Sequence, residues 1–317
     1  MLQQRGLPMQ INEIVIAGGT GFIGSALVDH FAPLAGEIVV LSRNPYENPF
    51  SQHTNVRMQT WQTNDVTGWA QVINGADVVI NCAGASIAGL RWTKKKRRQI
   101  LNSRVNATNA LVEAVRQAQV KPKVILQTSA IGIYGEHGAE EVDESTPAGA
   151  GFMAEVVKAW EDAAAGFSES GVRTVILRVG VVLGTGGGSL PLMTLSFRLF
   201  TGGHFGTGDQ YISWIQLEDV VRLVHFAVEN EQLNGVVNAV APNPVPGKEF
   251  FKTIGQILRR PKWFNLPGWL IKLIMGEMGE KLLLESIRVA PKQATVAGFT
   301  FQYPEIRSAL SAALDQE

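Results

Sequence analysis

Residues 14–24, with the sequence IVIAGGTGFIG, constrain the fold of this chain more than any other segment. An apolar run ends in three glycines spaced three residues apart, and an amphipathic pattern follows. Glycines at this spacing permit a tight turn and let backbone N–H groups approach a phosphate, which the positive end of the following helix also attracts. The segment predicts a strand–turn–helix elbow that holds the pyrophosphate of a dinucleotide; the alternative is a tight turn in a protein without a nucleotide. The predicted contacts are Gly18, Thr20, Gly21, Phe22, Ile23 and Gly24.

The rest of the chain alternates apolar β-branched runs with helical patterns. Strands are predicted at residues 13–17, 37–41, 56–59, 77–82, 123–128, 174–179 and 236–239. Helices are predicted between them at residues 22–31, 67–72, 93–117, 151–168 and 216–229. This alternation predicts a parallel sheet covered on both faces. The fold class is α/β, a doubly wound Rossmann sheet with a smaller α-rich C-terminal lobe.

The composition changes after Val182, where glycine-rich connections and then a proline-rich stretch begin. We predict an NAD(P)-binding Rossmann domain in residues 1–183, rejoined by residues 215–241. Residues 184–214 and 242–317 form the substrate-side lobe. Its predicted elements are helices at residues 247–258, 267–275, 279–289 and 304–314 and an aromatic strand at residues 300–303.

Charge and cysteine content exclude several classes of function. The formal net charge is zero, so nothing favours a nucleic-acid partner, and the basic run at residues 94–98 is interpreted as a solvated helix start. The single cysteine, Cys82, excludes an internal disulfide, and no Cys/His spacing indicates a metal site. No apolar run is long enough to span a bilayer, and residues 1–10 contain no apolar h-region and are interpreted as a short tail. We therefore expect a cytoplasmic protein without metal, nucleic-acid or membrane partners.

The end of the second predicted strand indicates which cofactor the elbow binds. NAD-specific sites place an acidic residue there, on the ribose 2′-hydroxyl, whereas this chain has Ser42 and Arg43. A guanidinium group suits a 2′-phosphate, so NADP(H) is predicted; the alternative is a solvated loop arginine.

The next long strand ends in Asn81, followed by Cys82, Ala83 and Gly84, small residues that can lie against the nicotinamide side of the cofactor. Cys82 itself is interpreted as a packed thiol. Asn106, on the following helix, either faces this cleft or lies on the helix surface.

These residues resemble the extended short-chain dehydrogenases/reductases, and most closely the atypical YfcH-like group of epimerase-family proteins. The general family motifs are at residues 18–24, 81–84, 128–135 and 178–184. Motifs of the atypical group are at residues 91–93, 103–105, 151–156, 159–161, 213–215 and 298–301. The resemblance covers nearly the whole chain.

The resemblance also implies an unusual catalytic centre. The family uses a tyrosine and a lysine four residues later; here those positions are Phe152 and Val156, and neither side chain can exchange a proton. The substitutes predicted for acid–base chemistry are Ser129, which also borders the cofactor, Glu155 and Lys158. Glu155 and Lys158 are alternatively an ion pair on the helix surface.

The function predicted from these residues is an NADP(H)-binding epimerase/dehydratase-like or oxidoreductase protein that acts on an unknown small polar or nucleotide-linked substrate. The alternative is a non-catalytic NADP(H)-binding regulatory module. The resemblance further implies a homodimer through the two long helices. The predicted substrate contacts are Arg104, Tyr134, Phe152, Arg198, Gln210 and Trp214, with Arg91 as a further anion-binding candidate.

Overall fold

The computed structural model describes residues 11–44, 48–89 and 91–314. Seven parallel strands form the central sheet in the spatial order β7-β6-β5-β4-β1-β2-β3. The strands are β1 (Ile11–Ala17), β2 (Ala35–Ser42), β3 (Val56–Thr60), β4 (Val78–Asn81), β5 (Val124–Ala130), β6 (Arg173–Val179) and β7 (Gly235–Ala239). The strand order reverses between β1 and β4, which confirms the doubly wound topology.

Both faces of the sheet are buried because side chains of each strand alternate between two cores. In β1, Ile14 and Ile16 belong to one apolar core, whereas Val15 and Ala17 belong to the other. A strand with apolar residues on both faces needs helices on both sides, since either face would otherwise be exposed to water. The sheet therefore lies at the centre of the Rossmann domain, with its carboxyl edge open to a ligand.

Ten helices are present in the described part of the chain. They are α1 (Phe22–Phe31), α2 (Lys94–Gln117), α3 (Phe152–Glu169), α4 (Leu190–Arg198), α5 (Leu217–Glu229), α6 (Gly247–Ile257), α7 (Gly268–Met275), α8 (Glu277–Gly279), α9 (Lys292–Val296) and α10 (Ile306–Leu314). In α1 the buried residues include Gly24, Leu27, Val28 and Phe31, which share one helix face. α2 begins after Thr93, whose side chain accepts a hydrogen bond from the N–H of Lys96.

The C-terminal lobe has its own core, built from α4, α6 and α10. Phe197, Trp214, Phe250 and Leu310 are fully buried in it. Three short strand pairs hold the lobe connections. They are Val181–Leu183 with Trp214–Gln216, Tyr211–Ile212 with Val245–Pro246, and Glu141–Val142 with Arg288–Val289. Through α5 and β7 the chain returns from this lobe to the sheet.

Three elements differ from the sequence-based prediction. The helix predicted at residues 67–72 is a 3₁₀ turn at Ala70–Ile73. The helix predicted at residues 279–289 ends in a π-helical turn at Glu280–Leu284, because Arg288–Val289 pairs as a strand instead. No strand forms at residues 300–303: the N–H groups of Gln302 and Tyr303 donate to the carboxylate of Asp219, which replaces a strand partner.

Candidate cofactor and active site

The glycine elbow joins β1 to α1 at the carboxyl edge of the sheet. Gly18 has a φ of +76°, and its carbonyl accepts a hydrogen bond from the N–H of Gly21 at 3.0 Å. α1 begins at Phe22, and the residue before it, Gly21, offers no side chain to cap the first N–H groups of the helix. Such uncapped N–H groups are suitable donors for a phosphate.

Two glycines of the elbow leave no room for a side chain. A Cβ atom on Gly18 would lie 2.7 Å from the carbonyl carbon of Cys82. A Cβ atom on Gly24 would overlap the carbonyl oxygen of Gly18. Beside them Thr20 is exposed and Ile23 is half-buried. The two glycines let backbone pack directly against backbone, as the turn of a dinucleotide-binding fold requires.

A second glycine-rich segment packs against the start of α1. A Cβ atom on Gly187 would lie 2.6 Å from the ring of Phe22, and one on Gly188 would lie 2.9 Å from the same ring. Gly184 also lies against Phe22. The sequence identified this segment only as a connection between the domains; the structure shows that its missing side chains let it approach the elbow.

The end of β2 carries the residues predicted to select the cofactor. The hydroxyl of Ser42 donates to the carbonyl of Asn44 at 3.0 Å and accepts its N–H at 3.2 Å, which shapes the turn. Arg43 is exposed, and no hydrogen bond or ion pair holds its guanidinium group among the residues that the structure describes. Arg43 thus lies at the strand end where Rossmann folds commonly bind the adenosine ribose, and a guanidinium group suits a phosphate.

The end of β4 is held rigidly by a buried amide. The side-chain amide of Asn81 donates to Gln127 at 2.9 Å and to Thr108 at 3.1 Å, and its oxygen accepts the N–H of Ala83 at 3.1 Å. Burial raises the pKa of the Cys82 thiol to about 12, so this thiol remains protonated near neutral pH. Cys82 therefore packs as a small apolar group, as expected from the sequence.

Arg104 places a poorly solvated cation next to this turn. Its guanidinium group donates to the carbonyls of Ala85 at 3.0 Å and Ile100 at 3.1 Å, and lies 5.1 Å from the ring centre of Trp160. A Cβ atom on Gly84 would lie 3.3 Å from the guanidinium carbon. Burial lowers the pKa of Arg104 to about 10. This environment suits an anion on the cofactor or the substrate.

Asn106 lies two residues further along α2 and is exposed. This position agrees with the helix-surface alternative rather than with a residue that faces the cleft. Thr108, one half-turn later, faces the sheet instead and bonds to both Asn81 and the indole N–H of Trp160.

A buried polar network lies beneath the end of β5. The hydroxyl of Ser129 donates to Oε1 of Glu161 at 2.5 Å. Arg178 donates to both oxygens of Glu161, at 2.9 Å and 2.8 Å, and to the hydroxyl of Tyr134 at 3.0 Å. The Tyr134 hydroxyl in turn donates to Asn238 at 2.7 Å. The network joins β5, α3, β6 and β7 at the edge of the sheet where the nicotinamide of a dinucleotide would lie.

Burial and charge shift the pKa values of this network in opposite directions. Desolvation disfavours the Arg178 cation, but its hydrogen bonds and charge attraction to Glu161 prevail and raise the pKa of Arg178. Burial raises the pKa of Tyr134 despite its bond to Arg178. Tyr134 is therefore a neutral, fully buried structural donor, and it does not reach a substrate as the sequence led us to expect.

The first turns of α3 lack the arrangement predicted for acid–base chemistry. Phe152 packs edge-to-face on Trp92 with ring centres 5.1 Å apart, and Val156 is buried. Glu155 and Lys158 are both exposed. Lys158 pairs with Asp162, one helical turn later, at 2.7 Å. The side of α3 that meets β5 carries Glu161 instead.

The remaining predicted substrate contacts lie on separate segments of the C-terminal lobe. Gln210 donates from its amide to the carbonyls of Phe205 and Leu283, at 3.1 Å and 2.9 Å. Trp214 is fully buried in the lobe core, which corrects its assignment as a contact, and Arg198 is exposed in the last turn of α4. Arg91 donates to the carbonyls of Leu273 and Ile274 and so ties α7 to the start of α2.

Sequence reasoning missed two members of the network: Glu161, which binds Ser129 and Arg178, and Asn238, which accepts the hydroxyl of Tyr134. Glu161 belongs to the motif of the atypical group at residues 159–161, and Arg178 begins the general family motif at residues 178–184. A search for opposite charges within these motifs would have paired the two residues. The described residues contain no group of three or more His, Cys, Asp or Glu side chains that could hold a metal ion. Within the same ranges, no helix is long and apolar enough to cross a membrane.

Comparison with known proteins identifies the family. Residues 14–239 match the NAD dependent epimerase/dehydratase family, and residues 266–313 match DUF1731, a domain of unknown function. The chain belongs to the epimerase/dehydratase family. Within this family it is 37% identical over 299 residues to the epimerase family protein YfhF of Bacillus subtilis, covering 94% of this chain and 96% of that protein.

Two further relatives are similar to this chain over most of its length. The chain is 34% identical to the chloroplastic SDR39U1 homologue of Arabidopsis thaliana, covering 94% of this chain and 86% of that protein. A crystal structure of the human epimerase family protein SDR39U1 with NADPH superposes with a TM-score of 0.86 at 31% identity. That similarity covers 96% of this chain and all of the human chain. Family membership and the Rossmann fold are thus established, as the resemblance implied.

Proposed function

We propose that this chain binds NADP(H) in preference to NAD(H). The observation that carries the proposal is Arg43 at the end of β2, whose guanidinium group has no hydrogen bond or ion pair within residues 11–44, 48–89 and 91–314. The cradle at Gly18 and Gly24 supports binding of the pyrophosphate. The human relative solved with NADPH supports the same cofactor.

Arg43→Ala is expected to weaken NADPH binding by about tenfold or more, because one charge-assisted contact to the 2′-phosphate is lost. NADH affinity should stay unchanged, since NADH has no 2′-phosphate. Fluorescence titration of both cofactors against the wild type and the variant measures this. Arg116→Ala, an exposed arginine far along α2, serves as the matched charge control. Equal NADPH and NADH affinities in the wild type would contradict the proposal.

We further propose that the protein is an oxidoreductase or epimerase that uses Ser129 in place of the family tyrosine. The nicotinamide, when bound, supplies hydride exchange. The Ser129 hydroxyl donates its hydrogen bond to Glu161. Its oxygen can therefore accept a hydrogen bond from a substrate hydroxyl. A proton can then pass from that hydroxyl through Ser129 to Glu161 during oxidation, and return during reduction.

Turnover as an oxidoreductase can be tested by NADPH absorbance decay with a panel of aldehydes and ketones. Turnover as an epimerase, which regenerates its cofactor, can be tested by NMR detection of the epimerised product with a panel of sugars. Ser129→Ala is expected to lower kcat by about 100-fold while NADPH affinity stays nearly constant, because the serine acts on the substrate proton. Ser168→Ala, exposed in the last turn of α3, controls for the loss of a hydroxyl. Full activity in the Ser129 variant would remove this residue from the mechanism.

A non-catalytic NADP(H)-binding module is the second candidate. It is favoured by the solvent-exposed positions of Glu155 and Lys158 and by the apolar residues Phe152 and Val156. This candidate predicts tight NADPH binding with neither absorbance decay nor an epimerised product from any compound of the two panels. For either candidate, we propose a cytoplasmic location and a homodimer through α2 and α3. The family resemblance supports the dimer.

A further inference from the structure

Exposed apolar side chains are concentrated in two segments of the C-terminal lobe. Nine of the twelve large apolar side chains that are exposed in the described part of the chain lie within residues 192–200 and 263–274. They are Leu192, Leu195, Leu199, Phe200, Trp263, Phe264, Trp269, Leu273 and Ile274. Single exposed apolar residues are ordinary on a protein surface, whereas a concentration of this kind indicates a contact with another surface.

Six of these side chains form one continuous surface. Leu192, Leu195 and Leu199 are spaced three and four residues apart, so they share one face of α4. The indole N–H of Trp263 donates to the carbonyl of Phe200, the residue after Leu199, at 2.9 Å. The six residues, called here the apolar surface, are Leu192, Leu195, Leu199, Phe200, Trp263 and Phe264.

Backbone hydrogen bonds hold the second segment of the apolar surface against the first. The backbone N–H groups of Trp263 and Phe264 both donate to the carbonyl of Gly202 at 3.0 Å. None of the six residues belongs to the glycine elbow or lines the groove formed by residues 136–139, 206–210 and 267–286. The apolar surface is therefore distinct from both of these sites.

The backbone is strained where this surface meets the end of α6. Among the described residues, Phe200 and Arg259 alone have a positive φ without being glycine, at +61° and +52°. They directly follow the last residues of α4 and α6, a position where helices commonly have glycine. Phe200 is 53% exposed, so burial of its ring does little to offset the strain. The fold thus keeps an aromatic ring and a guanidinium group exposed at an energetic cost.

The charge of the two segments has a single sign. Residues 170–208 and 250–276 contain no aspartate or glutamate, although the whole chain has 28 acidic and 28 basic residues. The second segment carries five basic residues, which are Lys252, Arg259, Arg260, Lys262 and Lys272. The apolar surface is therefore built from segments that have cations and no carboxylate.

Two of these cations lie directly beside the apolar surface. The guanidinium carbon of Arg260 lies 4.4 Å from the ring centre of Phe200. Lys262 directly precedes Trp263, and desolvation together with the charges of Lys252 and Lys248 lowers the pKa of Lys262. An anion near this surface would relieve the repulsion among these cations.

The combination of apolar side chains and cations decides what this surface contacts. Tryptophan, phenylalanine and leucine beside lysine and arginine are typical of a face that lies at the headgroup–acyl boundary of an anionic membrane. A second copy of the chain is disfavoured, because a two-fold contact would place the same cations against each other.

We propose that the apolar surface docks this protein on the face of an anionic lipid bilayer. Its six side chains enter the headgroup region, and Arg259, Arg260 and Lys262 contact lipid phosphates. The expectation of no membrane partner rested on the lack of an apolar run that spans a bilayer, and the proposed contact needs no such run. The proposal does not depend on the reaction that the protein catalyses.

The test is co-sedimentation of the full chain with vesicles at low ionic strength. One set of vesicles contains phosphatidylglycerol and phosphatidylcholine in equal parts, and the other contains phosphatidylcholine alone. The wild type is expected to bind the anionic vesicles about tenfold more tightly than the neutral ones, and added salt should weaken this binding.

A double substitution tests whether the apolar surface makes this contact. Leu192→Glu combined with Phe264→Glu should weaken binding to the anionic vesicles by about tenfold or more, because two carboxylates would enter the headgroup region. Val120→Glu combined with Val296→Glu adds the same charge elsewhere and should retain binding. All four side chains are at least 61% exposed, so neither pair disturbs a core, and circular dichroism verifies the fold.

A second pair of variants tests the cations. Arg259→Gln combined with Arg260→Gln should weaken binding to the anionic vesicles by about tenfold, whereas Lys94→Gln combined with Lys95→Gln, exposed at the start of α2, should not. Absence of binding by the wild type, equal binding to both kinds of vesicle, or unchanged binding by Leu192→Glu/Phe264→Glu would each overturn the proposal. A lipid-free dimer that this last variant abolishes in analytical ultracentrifugation would assign the surface to a second copy and would also overturn it.

Discussion

Gly18→Ala is expected to weaken NADPH binding by about 100-fold, or ~2.7 kcal/mol. The added methyl group would lie 2.7 Å from the backbone of Cys82, and backbone cannot move aside as a flexible side chain can. The turn must therefore open, which displaces the N–H groups at the start of α1 from the pyrophosphate. Isothermal titration with NADPH measures the loss, and circular dichroism shows whether the variant stays folded.

Gly171→Ala is the matched control for this prediction. Gly171 has a φ of +78°, almost the same as the +76° of Gly18, but nothing lies within 4 Å of its missing Cβ atom. Its substitution carries only the backbone strain of an L-residue in the left-handed region, about 1 kcal/mol of stability, and should leave NADPH affinity unchanged. An unaltered NADPH affinity in folded Gly18→Ala would mean that the cofactor does not bind at the elbow.

Glu161→Gln is expected to lower the free energy of unfolding by about 3–5 kcal/mol, because it leaves the Arg178 cation buried without a counter-charge. The two side chains are only 9% and 12% exposed, so water cannot replace the lost carboxylate. The same change removes the acceptor of the Ser129 hydroxyl. Urea denaturation monitored by tryptophan fluorescence measures the effect.

Asp162→Asn, one residue further along α3, is the matched control. Its ion pair with Lys158 has both side chains at least 60% exposed, so its removal should change stability by less than about 1 kcal/mol. Glu161→Gln combined with Arg178→Met should be more stable than Glu161→Gln alone, since no unpaired cation then remains. If Glu161→Gln and Asp162→Asn had the same free energy of unfolding, the network at the end of β5 would not contribute to the stability of the fold.

The elbow could be predicted from the sequence because all of its requirements lie within residues 14–24. Strand, turn and helix are contiguous, and the glycines mark the positions where backbone approaches backbone. The seven strands were also recognisable, since β-branched runs buried on both faces are continuous in sequence. The aromatic segment at residues 300–303 misled the prediction because its N–H groups are satisfied by Asp219, 83 residues away from Gln302.

The catalytic candidates could not be chosen from the sequence because helix faces are assigned only by packing. Glu155, Lys158 and Glu161 all lie on α3, and only the contact of this helix with β5 and β6 decides that Glu161 meets Ser129 and Arg178. The groove lined by residues 136–139, 206–210 and 267–286 is equally non-local. It brings Glu136 together with Lys281 and Glu285, more than 140 residues later in the chain.

The sequence by itself determined the Rossmann sheet, the glycine elbow and the missing acid at the end of β2, because these depend on neighbouring residues and on strand periodicity. Tertiary structure alone decided which polar side chains are buried together. Pairing of a carboxylate with a guanidinium depends on distances between different strands and helices, and no local pattern in the chain encodes those distances.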